Sequence, residues 1–162
     1  MPARKLCAME YEALLFDLFG TLIDGRGGAA RGALELVATI VPSRWAIVTS
    51  CYDALARELL AQAGLPVPSV LVTSDHVRAN KPSPEGYVLA ARRLGRAPNS
   101  CLVFEDSRHG VMAAVAAGMD VVAISPQRDR ELMRLATYRV ASIETIAVTA
   151  IPDGRYRIDF LG

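Results

Sequence analysis

Asp17 closes the apolar run Ala13-Leu14-Leu15-Phe16, and Thr49-Ser50 close a second run, Trp45-Ala46-Ile47-Val48. Lys81-Pro82 come after a third, Val70-Leu71-Val72, and Glu105-Asp106 directly follow a fourth, Leu102-Val103-Phe104. Each run is too short for a helix and is bounded by turn residues, which predicts a buried strand. Polar groups placed just past the carboxyl ends of parallel strands gather on one edge of the sheet, where open α/β folds bind ligands. The residue types then define the chemistry. An aspartate can attack or hold a metal, a hydroxyl can bind an anion, a lysine can neutralise one, and an acidic pair can hold a cation. Together they suit phosphoryl transfer.

The elements that must carry these groups follow from the same pattern. Asp53 reads as the N-cap of a helix over Ala54–Ala63, closed by Gly64 with Pro66 beyond, and Ser83-Pro84 open a second that ends near Gly95. A third spans about Ser107 to Gly118. Strands alternating with helices, including a fifth strand at Val121-Val122-Ala123-Ile124, predict an α/β fold. Its form is a three-layer Rossmann-like sandwich on a mainly parallel sheet. Ala147–Ala150 and Tyr156–Phe160 flank Pro152-Asp153-Gly154, which predicts a small C-terminal hairpin. There is no internal repeat, and the one low-complexity stretch is Gly25-Arg26-Gly27-Gly28-Ala29-Ala30.

A chain of 162 residues with net charge +1 suits one domain over 1–162, large enough to bury a full core. Near-neutral charge argues against a nucleic-acid surface, and Arg128, Arg130 and Arg134 read as a solvated helix face. The chain has neither an h-region nor an apolar stretch approaching the ~20 residues of a membrane span. The cysteines, Cys7, Cys51 and Cys101, are odd in number and widely spaced, as in reduced cytoplasmic proteins, and Cys51 has no histidine partner near it in sequence. The expectation is a soluble, cytoplasmic protein with no nucleic-acid or membrane partner.

Taken in order, Asp17-Leu18-Phe19-Gly20-Thr21-Leu22, Ile47-Val48-Thr49-Ser50, Asn80-Lys81-Pro82-Ser83-Pro84 and Val103-Phe104-Glu105-Asp106-Ser107 with Gly110 resemble the haloacid dehalogenase superfamily. The likeness is to its sugar-phosphatase-like and phosphoglycolate-phosphatase-like branch and runs from Leu14 to Pro126. It implies a magnesium-dependent phosphatase acting on small phosphorylated metabolites such as sugar phosphates. Asp17 is then the nucleophile, forming an aspartyl-phosphate that water hydrolyses. Gly20 and Thr21 turn the chain and can aim backbone N–H groups at the phosphate. Thr49 offers its hydroxyl to a phosphate oxygen, and the Ser50 amide stands beside it. Lys81 offsets the repulsion between nucleophile and substrate. For Mg2+, Asp106 and Asp17 supply carboxylate oxygens, Phe19 its carbonyl, and Glu105 binds directly or from one shell out. The Glu-Asp pair separates this branch from the halide-removing one, which needs no metal.

Two departures qualify the expectation. At position 19 the family's phosphatases carry a second aspartate that protonates the leaving oxygen and later activates water, and Phe19 can do neither. Loss of general acid–base help typically costs about 10² to 10⁴ in rate, least for aryl and acyl phosphates. Asp24, the nearest carboxylate in sequence, reads as a loop residue. Second, the cap expected at about residues 25–30 is absent. Asp24 runs through the Gly-rich join almost directly into Gly32-Ala33-Leu34-Glu35-Leu36, as after natural shortening or an excision. An uncovered site loosens specificity and leaves apolar surface to hide, so a homo-oligomer is expected. The competing reading is a non-catalytic or engineered core that binds phosphate and magnesium without useful turnover. A third reading is a phospho-receiver domain, against which motif order argues, because there the acidic pair ends the first strand. His76 and His109 read as surface residues, Trp45 and Tyr87 as packing, and Arg108 as a candidate contact to a distal anion.

Overall fold

The computed structural model describes residues 9–124 and 134–161. Cys7, Pro126, Arg128 and Arg130 lie outside the described residues. Six parallel strands form the main sheet: β2 (Ala13–Phe16), β3 (Trp45–Val48), β4 (Val70–Val72), β5 (Cys101–Glu105), β6 (Asp120–Ile124) and β7 (Tyr138–Val140). Their spatial order is β4-β3-β2-β5-β6-β7. The four motif-bearing strands are confirmed as expected, while β7 carries no sequence signal of its own beyond three residues beside Val122–Ile124.

Every residue of β2 and β3 is buried, because both faces of the sheet are covered. Alternate side chains enter two separate cores. Leu14, Phe16, Trp45, Ile47, Leu102 and Phe104 face one, with Leu36 and Val37 of α1 (Ala33–Ala38) and Ala56 and Leu60 of α2 (Asp53–Ala63). Ala13, Leu15, Ala46, Val48 and Val103 face the other, with Tyr87 and Ala90 of α3 (Glu85–Leu94) and Val111 and Ala114 of α4 (Arg108–Ala116). Phe16 stacks on Phe104 at 4.7 Å and meets Trp45 edge-on at 6.2 Å. Such ring pairs add about 0.5–1.5 kcal/mol beyond the area they bury.

The expected hairpin is present as β8 (Ile146–Ala150) and β9 (Tyr156–Phe160), antiparallel. It gains a strand that sequence reading missed, β1 (Met9–Tyr11), which pairs with β9 across the whole chain. This small sheet packs through Tyr156 and Ile158 onto the α1/α2 side. Asp53 corrects the expected capping. It is the first helical residue of α2, with Tyr52 at the cap, and its carboxylate takes a 2.6 Å ion pair from Arg57 one turn on. Gly64 closes α2 at φ 68°, as a left-handed C-cap requires. Among the described residues, no helix is long and apolar enough to cross a membrane.

The connections explain where the site must form. From β2 the chain steps to β3 and β4 on one side, then crosses to β5 and β6 on the other. The sheet order therefore reverses between β2 and β5, the strands that end in Asp17 and Glu105. A crevice opens at the carboxyl ends of strands at such a reversal.

Candidate active site

Asp17 leaves β2 with its N–H donating to the Phe104 carbonyl at 3.0 Å, so its carboxylate sits at the lip of the sheet, only 8% exposed. Lys81 reaches in from the loop after β4. Its Nζ donates to Asp17 Oδ1 at 2.6 Å, to Glu105 Oε1 at 2.6 Å and to the Val48 carbonyl at 2.8 Å. All three of its protons are thus assigned, and the ammonium cannot wander.

Glu105 is fully buried, and both its carboxylate oxygens have hydrogen-bond donors. Oε1 accepts from Lys81 and from the Tyr87 hydroxyl at 2.7 Å. Oε2 accepts from the N–H groups of Asp106 and Ser107 and from Ser107 Oγ, at 3.2–3.3 Å. Its carboxylate therefore acts as a bolt between α3, β5 and α4. Tyr87, read from sequence as packing, also places its ring 5.1 Å below the Lys81 Nζ. A tyrosine at one turn into an amphipathic helix gives no sequence sign that its hydroxyl meets a buried carboxylate.

Glycine makes the crowding possible at two points. Gly20 has φ +86°, and a Cβ there would fall 1.9 Å from Asp106 Oδ2. Its N–H donates to the Ile23 carbonyl at 2.7 Å, which corrects the expectation that this amide faces a phosphate. Thr21, unlike the exposed Gly20, is buried, and its hydroxyl donates to Asp17 Oδ2 at 3.4 Å. It orients the aspartate from behind. Gly110, in the first turn of α4, leaves the volume that the Glu105 carboxylate occupies, since a Cβ would lie 1.8–2.1 Å from its three terminal atoms.

Thr49 ends β3 with its N–H bonded to the Val72 carbonyl, and its hydroxyl accepts from the Cys51 amide at 3.3 Å. Ser50 beside it is exposed. Asp17, Phe19, Thr49, Ser50 and Lys81 line one cleft of about 640 Å³, joined by Cys51, Asn80, Ser107, Arg108 and His109. His109 and Arg108 thus reach the site mouth, whereas His76 folds back to accept from the Thr73 amide. Asp24 is a loop residue as expected. Its Oδ1 accepts from the Arg26 and Gly28 N–H groups.

The charge balance is unfavourable as it stands. Asp17, Glu105 and Asp106 bring one oxygen each within 4.8 Å of one another, and Lys81 is bonded to two of the three. Burial pushes the Asp17 carboxyl up to about 7; Lys81 pulls it down and Glu105 and Asp106 push it up further. Burial and Glu105 also raise Asp106. Burial works against the Lys81 charge, yet Asp17 and Glu105 outweigh it and hold the ammonium above its usual range. Both oxygens of Glu105 and both of Asp17 already accept hydrogen bonds, and the three clustered carboxylates are hard oxygen donors of the kind magnesium takes.

Comparison with known proteins agrees with this geometry. A family model described as haloacid dehalogenase-like hydrolase matches residues 28–118. Hexitol phosphatase A of Escherichia coli is 42% identical over 110 residues, 68% of this chain and 51% of that protein. Fructose-1-phosphate phosphatase YqaB of the same organism is 44% identical over 80 residues, 49% and 43% of the two chains. The chain spans about half the length of these curated relatives. Among solved structures, a hydrolase from Pseudomonas syringae superposes with TM-score 0.70 at 21% identity, over 82% of this chain and 93% of that one. Motif order, sheet order and the matched segment converge: the chain belongs to the haloacid dehalogenase-like hydrolase family.

Proposed function

We propose that this protein is a phosphoric monoester hydrolase acting on small phosphorylated metabolites, such as sugar phosphates, through an aspartyl-phosphate on Asp17. The observation that carries the reading is the Asp17–Lys81–Glu105 array, with Asp17 facing the cleft and Lys81 held 2.6 Å from it. Relatives that act on hexitol phosphates and fructose 1-phosphate support the substrate class.

In the first step an Asp17 oxygen attacks phosphorus in line while the bond to the leaving oxygen breaks. The electron pair stays on that oxygen, which takes a proton from water because position 19 offers none. Water then attacks the aspartyl-phosphate at phosphorus, the bond to Asp17 breaks, and inorganic phosphate and a proton leave. Lys81 keeps the nucleophile oriented and counters the charge of the incoming phosphate, Thr49 and Ser50 face the phosphate oxygens, and Thr21 and Glu105 hold Asp17 and Lys81 in place. Asp17, Asp106 and the Phe19 carbonyl are the groups that would hold Mg2+, with Glu105 positioning rather than binding. Magnesium, when bound, supplies positive charge against the developing negative charge on phosphoryl oxygens.

Residues 1–162 are a single cap-free core in this reading, and it works in the cytoplasm, consistent with free Cys51 and Cys101. The test is hydrolysis of an aryl phosphate with and without magnesium, in the natural chain and in Asp17→Asn. Turnover that needs both magnesium and Asp17 is expected. Turnover that survives Asp17→Asn would overturn the nucleophile, and phosphate binding without any turnover would favour a non-catalytic binding core.

A further inference from the structure

The cleft over Asp17 carries polar groups, with Arg108 and His109 reaching its mouth, and also an apolar set, Phe19, Leu55 and Leu59. Leu55 and Leu59 lie one turn apart on α2, so they form a single stripe, and Phe19 is 54% exposed on the loop after β2. We propose that the preferred substrates are phosphate monoesters whose leaving group is a flat, apolar aromatic alcohol resting on Phe19, Leu55 and Leu59. The proposal rests on the phosphatase reading above, keeps its monoester chemistry and replaces its sugar-phosphate example with aryl phosphates.

Two independent observations converge on it. The first is chemical. With Phe19 at the donor position, Lys81 tied up in ion pairs and Asp24 closed into its own turn, the leaving oxygen departs as an anion. A phenolic oxygen tolerates this, with a pKa near that of tyrosine at about 10. An alkyl alcohol, a far weaker acid close to bulk water, does not. The second is spatial. The side chain that stands at the donor position is itself aromatic and lines the same cleft as the two leucines and Asp17. A sugar hydroxyl set against Phe19, Leu55 or Leu59 finds no partner in those side chains, whereas an aromatic ring covers them.

Binding is measured by calorimetry with inorganic phosphate, methylphosphonate and phenylphosphonate on the magnesium-loaded protein, which keeps leaving-group reactivity out of the readout. Phenylphosphonate should bind about 3- to 10-fold tighter than methylphosphonate, and Leu55→Ser or Leu59→Ser should remove most of that gain. Equal affinities would overturn the proposal while leaving the phosphate site standing. Failure of all three anions to bind would instead overturn the phosphatase reading beneath it. If the leucine variants change the oligomeric state but not the phenyl preference, the wall belongs to a second copy and the proposal fails. In turnover, phenyl phosphate should exceed a sugar phosphate in kcat/KM by about 10² or more, and His109→Gln should leave that ratio unmoved. A ratio that climbs in His109→Gln would make His109 the proton donor and remove the chemical half of the inference.

Discussion

Replacing Gly110 with alanine sets two effects of opposite sign against each other. Alanine is the better helix former, and relief of glycine's backbone entropy within α4 is worth about 1 kcal/mol at most. Against it stands the Glu105 carboxylate, all three of whose terminal atoms lie within 2.1 Å of the new Cβ. A free glutamate would swing aside at little cost. This one is fully buried and held by Lys81, Tyr87, Ser107 and two backbone amides, so moving it breaks a buried ion pair together with its hydrogen bonds. Breaking such a pair costs about 3–5 kcal/mol, leaving a net loss of roughly 2–4 kcal/mol after the helix gain. For a domain of this size each kcal/mol moves Tm by about 2–4 °C, so a fall of roughly 4–16 °C is expected. Thermal and urea denaturation of Gly110→Ala against the natural chain measure it, with turnover falling in parallel as Lys81 loses its anchor. A Tm that stays level or rises would refute the reasoning, because it would mean that Glu105 is not locked where it is drawn.

Asp106→Asn should weaken magnesium binding by at least tenfold, and calorimetry showing unaltered affinity would remove Asp106 from the metal site. Phe19→Asp should raise turnover of alkyl phosphates more than of aryl phosphates, since only the former need a protonated leaving group; equal rises would mean that chemistry is not limiting. Asp17 titrates higher in the folded protein, about 7 against 3.8, so its contribution to stability is full below pH 3.8 and is lost as pH rises through 7. Without metal the protein should therefore lose up to roughly 3–4 kcal/mol between pH 4 and 8 from this group, and urea midpoints of Asp17→Asn should fall less over that range. Light scattering at micromolar concentration should show a homo-oligomer in which a neighbour partly shields the groove around Asp17, Thr49 and Lys81, and a strict monomer would count against it.

Much of this was legible because the motif residues sit at the ends of strands whose apolar runs need no long-range information to recognise. Ala13–Phe16 and Trp45–Val48 are read to the residue. What escaped depends on pairing across the chain. Met9–Tyr11 is too short to register as a strand until β9 receives it, and the Tyr87 hydroxyl acquires its meaning only when Glu105 arrives from another strand. Gly20 misled for a different reason. Its type announced a tight turn correctly, but the turn satisfies its own amide through Ile23 and contributes absence of volume rather than a donor. Asp53 failed as a cap because a stronger local partner, Arg57, lies one helical turn away.

The turn that closes over Asp24 has a consequence for how such a domain tolerates growth. Ile23 pairs with Ala29, Ala30 donates to the Leu22 carbonyl, and Asp24 donates to Gly28, so the two strands of chain entering and leaving the turn are already clasped side by side. An inserted segment would begin and end at neighbouring points, and every strand register in the main sheet could stay as it is. Lengthening a loop tenfold between fixed ends costs only about 2 kcal/mol of closure entropy, a sum that a segment with a modest core of its own recovers. The position is thus a port at which a lid could be gained or shed without renegotiating the fold beneath it.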